Sequence, residues 1–279
     1  MHPSRIAELL EPFLGSASDQ RLTTSDLSSI STYIDLLQRW NARINLTAIR
    51  NEEDIVTRHF GESLFAARHL FPARKHAGTA AFGCPAERSS AEERTVGGKR
   101  APYSYDRQHK RERAALQGRV QKQEEKGASA PAVANDQRPT ANHVVRVADA
   151  GSGAGFPGIP IKIWAPEIAL TLIESNQKKA TFLKEVSRVL TLTDINIQTT
   201  RAESLTGASF DVVTLRAVER FESILLVAAR LVAPGGRLAL LIGQAQFPQA
   251  QSALPTLDWP DPIPVPSSQS RVLAIACKR

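Results

Sequence analysis

Four glycines within eight residues, Gly151, Gly153, Gly155 and Gly158, separate a short apolar run at 144–149 from an apolar helical pattern at 157–164. No other feature constrains the fold as much. Glycines admit positive φ, and in an open α/β sheet a turn of this kind lies at the carboxyl edge, where the backbone can approach a ligand closely. The texture downstream agrees. Residues 169–173, 195–199, 210–215 and 237–242 read as buried strands, with helices at 177–190 and 221–231 between them. The alternation predicts a doubly wound, Rossmann-like parallel sheet with helices on both faces, spanning 144–279. A last apolar run at 271–277 is expected to add an antiparallel edge strand after the proline-rich stretch at 260–266.

Upstream, the period is helical. Leu27, Ile30, Ile34, Leu37 and Trp40 form a stripe, and Thr23 with Asp26 offers a capping start, so a helix is predicted over 24–42. A shorter helix around Ile6 to Phe13 and another over 55–70 complete a small helical unit, 1–72. Between the two parts lies a low-complexity basic insertion, 73–143, expected to be disordered apart from a helix near 107–123. Residues 74–143 hold 14 Lys or Arg against 8 Asp or Glu, which accounts for nearly all of the chain's formal charge of +7. Global basicity therefore says little about the folded part, and any nucleic-acid argument must rest on local clusters.

No apolar stretch is long enough to cross a membrane, and the start carries Glu8 and Glu11 where a secretory signal would be apolar. A cytoplasmic monomer with no membrane partner is expected. Cys84 and Cys277 lie far apart without metal-ligand spacing, so no metal site is expected.

The glycine-rich turn is read as a nucleotide-type cofactor loop. Gly153-x-Gly155-x-x-Gly158 also satisfies the dinucleotide fingerprint, so glycine spacing alone leaves NAD and S-adenosylmethionine open. Pro157 and Pro160 crowd the helix entrance, and Asp149 stands two residues before the first glycine, where a carboxylate could accept from a cofactor's ammonium group directly or through water. Both favour the sulfonium cofactor. Glu174, at the end of the second strand, is the candidate for the ribose hydroxyls. Ala202 and Glu203, after the third strand, are candidates for the adenine. Arg216, at the end of the fourth, is the best functional arginine, placed to face the methyl group and its acceptor.

These segments together resemble the ribosomal small-subunit methyltransferase G family, also called glucose-inhibited division protein B. The matching text is Trp40-Asn41-x-x-Ile44-Asn45-Leu46-Thr47-Ala48-Ile49, Arg58-His59, Asp149 through Pro160, Glu174-Ser175-Asn176-x-Lys178-Lys179, and Arg216-Ala217. Coverage is roughly residues 5–72 and 144–279. The resemblance implies a class I methyltransferase that uses S-adenosylmethionine to form N7-methylguanosine in small-subunit (16S) ribosomal RNA. It further implies cofactor contacts at Gly151, Phe156, Ala202, Glu203 and Arg216. One departure is Gly61-Glu62-Ser63, where the family usually has Asp-Ser, so the acid is kept but its reach changes. The insertion is also absent from the family pattern.

Arg39, Arg43, Arg50, Arg58 and His59 cluster around the helical unit's matching text and are candidate RNA contacts, the expected partner being small-subunit RNA or the 30S subunit. Guanine N7 has an in-plane lone pair and no proton to lose, so its methylation needs orientation more than a base. The chain is consistent with that. It has no Asn-Pro-Pro-Tyr-like segment after the fourth strand, as amino-group methylation would favour, and no cysteine there for covalent attack. Three rivals stay open on the residues alone: a small-molecule methyltransferase, an NAD-dependent oxidoreductase, and a non-catalytic RNA-binding module.

Overall fold

The computed structural model describes residues 1–15, 22–72, 144–216 and 221–279, all within one compact unit. The expected disorder of 73–143 and the helix near 107–123 fall outside the described residues.

Helix α1 (Pro3–Leu14) buries Ile6, Leu10, Phe13 and Leu14. Helix α2 (Thr24–Ile44) begins at the predicted capping box, with Thr23 Oγ1 accepting from the Asp26 N–H and the Asp26 carboxylate accepting from the Thr23 N–H. It stops at Asn45, whose left-handed φ of 48° breaks the helical repeat. The helix expected over 55–70 starts earlier and is not uniform. Asn51 caps a short α3 (Glu52–Asp54), the chain then widens into a π-helix (Ile55–Gly61), and α4 (Glu62–Leu70) follows.

The sheet carries β1 (Arg146–Ala150), β2 (Ala169–Ile173), β3 (Ile195–Gln198), β4 (Phe210–Arg216), β5 (Val232–Gly243), β6 (Leu257–Asp258), β7 (Ile263–Pro264) and β8 (Arg271–Lys278). Their order is β3-β2-β1-β4-β5-β8-β6, with β7 also paired to β8. The first five run parallel, and β8 is antiparallel to β5. The reversal between β1 and β4 makes the cleft above β1 the place where ligands enter such sheets. The run at 271–277 is antiparallel as expected, but it is not an edge strand. β6 and β7 add two residues each on its outer side, too short to leave a period-2 signal in the sequence.

Helices α5 (Gly158–Trp164), α6 (Gln177–Val189) and α7 (Phe221–Leu231) connect the strands close to their expected bounds, and α8 (Phe247–Ala253) is an additional helix of about two turns. Strand alternation divides the apolar side chains into two layers. Val147, Leu170, Leu172, Val212, Ala239 and Leu241 pack with the N-terminal helices, α5 and α6. Ala148, Val213, Leu215, Leu238, Leu240 and Ile242 pack with α7 and α8. The segments 1–72 and 144–279, which read separately in the sequence, thus share the first layer. Polar ties reinforce the contact: Trp164 Nε1 donates to the Phe71 carbonyl at 3.0 Å and Arg237 Nη2 to the Leu70 carbonyl at 3.1 Å.

Candidate active site

The glycine loop leaves β1 and turns back over the edge of β2. The Gly151 and Ser152 N–H groups donate to the Ile173 carbonyl, and Gly151, Gly153 and Gly155 take φ of 72°, 56° and 87°. Two of these glycines serve different purposes. A Cβ built on Gly153 would meet only the Gly151 carbonyl oxygen at 3.8 Å, so the crest of the loop is open. A Cβ on Gly155 would collide with the Tyr33 hydroxyl and stand 2.7 Å from Ile159 Cδ1. Gly155 exists to let α2 pack against the loop, and Tyr33, buried on that helix, donates its hydroxyl to the Ala154 carbonyl. Nothing in the sequence singles out Tyr33, which stands next to a core position of the α2 stripe.

Asp149 is sealed under the loop at 1% exposure. Its Oδ2 accepts from the Gly158 N–H at 3.1 Å and its Oδ1 from Thr214 Oγ1 at 2.9 Å. Burial pushes its carboxyl up to about 6, against the opposing pull of those hydrogen bonds. Each oxygen accepts one bond from the loop's own scaffold and retains a second lone pair, so Asp149 shapes the cradle from below and keeps the capacity to accept from a further donor. Thr214, its neighbour in the β1–β4 register, was not singled out in the sequence.

Glu174, at the carboxyl end of β2, is buried, with Oε2 accepting from the Gly153 N–H at 2.9 Å and Oε1 from the Asn176 N–H at 2.7 Å. It therefore stands at the rim of the open crest and also tethers it. Asn176 in turn caps α6 through the Lys178 and Lys179 N–H groups. Ala202 is buried and opens a 3-10 turn (Ala202–Ser204) after β3, while Glu203 is exposed. Three positive-φ glycines, an open crest and an acidic rim fit an adenosine-type cofactor carrying a sulfonium.

Phe156, directly after the glycine loop, is buried in a cluster of rings. Its ring stacks on Tyr33 (centroids 5.3 Å apart, planes 5° apart) and on His59 (4.7 Å, 16°), with Phe60 edge-on at 5.1 Å. The position of His59 argues against the expected RNA contact. Its Nδ1 faces Arg216 Nη1 at 2.9 Å, and a guanidinium can only donate, so Nδ1 accepts and the ring proton sits on Nε2, which donates to Thr47 Oγ1 at 2.8 Å. Burial, with the Arg216, Arg58 and Arg271 guanidiniums nearby, holds its pKa down at about 3, so the ring is neutral at physiological pH. A half-buried ring with both nitrogens engaged is not an RNA phosphate ligand. Thr47 is itself fixed, because Asn41 accepts from its N–H and donates to its carbonyl, each at 2.9 Å. The Trp40-to-Ile49 text is thus a scaffold for His59.

Arg216 lies at the carboxyl end of β4 with its side chain 9% exposed. Nη2 donates to the Arg58 carbonyl at 2.6 Å and to Glu62 Oε2 at 3.1 Å, and Nε is buried without a hydrogen-bond partner. Its acidic partner is therefore Glu62, whose only mark in the sequence is a departure from the family pattern. Arg271 on β8, which carries no sequence signal, approaches Glu62 Oε2 at 3.0 Å. Arg39, Arg43, Arg50 and Arg58 are exposed on or beside α2 and the π-helix.

The family model for rRNA small subunit methyltransferase G (GidB) matches residues 26–83 and 132–255, which take in α2, the His59 segment, the glycine loop, Glu174 and Arg216. The chain belongs to this family. As a GidB-family protein it resembles the ribosomal RNA small subunit methyltransferase G of Roseiflexus castenholzii, with 28% identity over 92% of this chain and 86% of that one. The protein of the same name from Xylella fastidiosa is 29% identical over 88% of this chain and 84% of its own length. That of Mycoplasma capricolum reaches 46% identity over a shorter segment, 37% of this chain and 45% of the other. Membership of GidB makes the chain a methyltransferase of mixed α/β fold with Rossmann-like sheet topology.

Proposed function

We propose that this GidB-family chain is a class I, doubly wound methyltransferase that uses S-adenosylmethionine to methylate N7 of a guanine in small-subunit ribosomal RNA. The observation that carries the reading is Arg216, held by His59 and Glu62 at the carboxyl end of β4, the parallel neighbour of the strand that leads into the open glycine crest. S-adenosylmethionine, when bound, supplies an electrophilic methyl group on a sulfonium.

The rest falls to the chain's own residues. The Gly151–Gly155 backbone and Glu174 bind and orient the adenosyl portion, and Ala202 with Glu203 borders the adenine. Phe156 and the ring stack behind it exclude water from one wall. Arg216 orients the guanine edge and opposes unproductive poses. Neutral His59, tied to Thr47, takes no proton, as suits an acceptor nitrogen that carries none to lose. The exposed Arg39, Arg43 and Arg58 supply phosphate contacts that hold an RNA in register. The reading includes a cytoplasmic monomer acting on the RNA or on the 30S subunit.

The test is transfer of labelled methyl from S-adenosylmethionine to small subunits lacking the modification, followed by nucleoside mass spectrometry. N7-methylguanosine is the expected product. Methylated adenosine or cytidine in its place, or transfer only to free metabolites, overturns the substrate assignment.

A further inference from the structure

Three acceptors from one short stretch of chain converge on a single guanidinium: the Arg58 carbonyl (2.6 Å), His59 Nδ1 (2.9 Å) and Glu62 Oε2 (3.1 Å), all on Arg216. The stretch spans the junction where the π-helix passes into α4, and π-helical turns recur at functional sites because they redirect side chains that a regular helix would splay. Only Glu62 among the three carries charge. Its side chain is 4% exposed and shared between Arg216 and Arg271, so one carboxylate compensates two guanidiniums that would otherwise repel each other across the gap between β4 and β8.

We propose that Glu62 is a positioning residue for methyl transfer, acting through Arg216. His59 and the Arg58 carbonyl set the direction of the guanidinium, and the Glu62 carboxylate keeps it from turning away from Arg271. These three contacts use three of the guanidinium's five N–H groups, so a second Nη1 N–H is left to face the reaction partner while Nε stays buried without a hydrogen-bond partner. The inference rests on the role given to Arg216 under the proposed function.

A kinetic double-mutant cycle tests it, with Glu62→Gln, Arg216→Lys and the combination, in the full-length protein with its physiological acceptor. Glu62→Gln is expected to lower kcat by about 10- to 100-fold while the dissociation constant for S-adenosylmethionine and the KM for the acceptor stay within about threefold. The double variant is expected to be no slower than Arg216→Lys alone, because a residue that acts through another adds nothing once that other is gone. Glu62→Asp, which keeps the charge and shortens the reach, is expected to recover part of the lost kcat, and it carries the cycle if the glutamine variant does not fold.

A second readout needs no acceptor. The Nε–H resonance of Arg216 in side-chain 15N spectra is expected to broaden or shift in Glu62→Gln. Unchanged kcat, fully multiplicative losses in the double variant, or an unmoved Arg216 resonance would each overturn the proposal. Methylation of a different acceptor would sink the substrate reading alone, since the cycle can be run on that acceptor.

Discussion

Gly153 and Gly155 look interchangeable in the sequence, yet one faces open space and the other faces Tyr33, which lies 121 residues earlier than the carbonyl it holds. The glycine spacing was legible because positive φ leaves a compositional mark. Which glycine meets the ligand was not, because that depends on a helix brought in from far away. Gly153→Val combines a left-handed backbone that costs about 1–2 kcal/mol for a side-chain-bearing residue with a branched group standing in the crest. The variant is expected to fold, with a modestly lower Tm, and to lose S-adenosylmethionine affinity by about 100-fold or more in calorimetry. Near-normal affinity would remove the crest from the binding site. Asp149 gives a pH signature. Its folded pKa of about 6 lies above the unfolded 3.8, so the group binds its proton more tightly when folded. Its contribution to stability is therefore full below about pH 4 and declines as pH rises through 6, by on the order of 3 kcal/mol. Subtracting the unfolding free energies of Asp149→Asn from those of the wild type at pH 4 to 7 isolates this trend from the other carboxylates. A flat difference would mean that the carboxyl is not buried as described.

Among the elements, the long periodic ones were legible: α2 and its capping box, and β1 to β4 to within two residues at each end. β5 starts earlier than its apolar core because Pro234, Gly235 and Gly236 lie within it, where the register against β4 shifts between Phe210 and Val212. Such a bulge looks like a turn in a linear reading. The π-helix was invisible for a different reason, since its residues Ile55, Val56 and Phe60 satisfy an ordinary amphipathic pattern. Gly61 marks its end. A Cβ there would stand 2.7 Å from the ring carbons of Phe13 on α1, so this glycine sets how closely the two helices approach. In an exposed helix Gly→Ala gains about 1 kcal/mol, whereas overpacking of a closed contact costs roughly 1–3. The second term wins here, because Phe13 is itself buried and has little room to yield. Gly61→Ala is expected to lower stability in denaturant titration and to weaken methyl transfer further, since His59 and Glu62 flank the junction. A more stable variant would show that the contact is not tight.

Across the whole molecule, the candidate site draws on residues far apart in the chain: Glu62 and Arg216 are separated by 154 positions. The sequence named Arg216 but not its acid, because nothing local to either residue announces a pairing over that span. The family match breaks off between 83 and 132, and the two apolar layers among the described residues form without that interval. Deleting residues 88–131 is accordingly expected to leave the Tm within a few degrees and cofactor affinity within about twofold. Loss of cooperative unfolding or of cofactor binding would show that the interval packs into the core. Glu62 also imposes an order on synthesis. It leaves the ribosome well before either guanidinium that neutralises it, and β8, which brings Arg271, must slot between β5 and the short β6 already made. A growing chain therefore carries this acid unpaired until β4 has been made, and the three-way contact among Glu62, Arg216 and Arg271 closes only after β8 emerges.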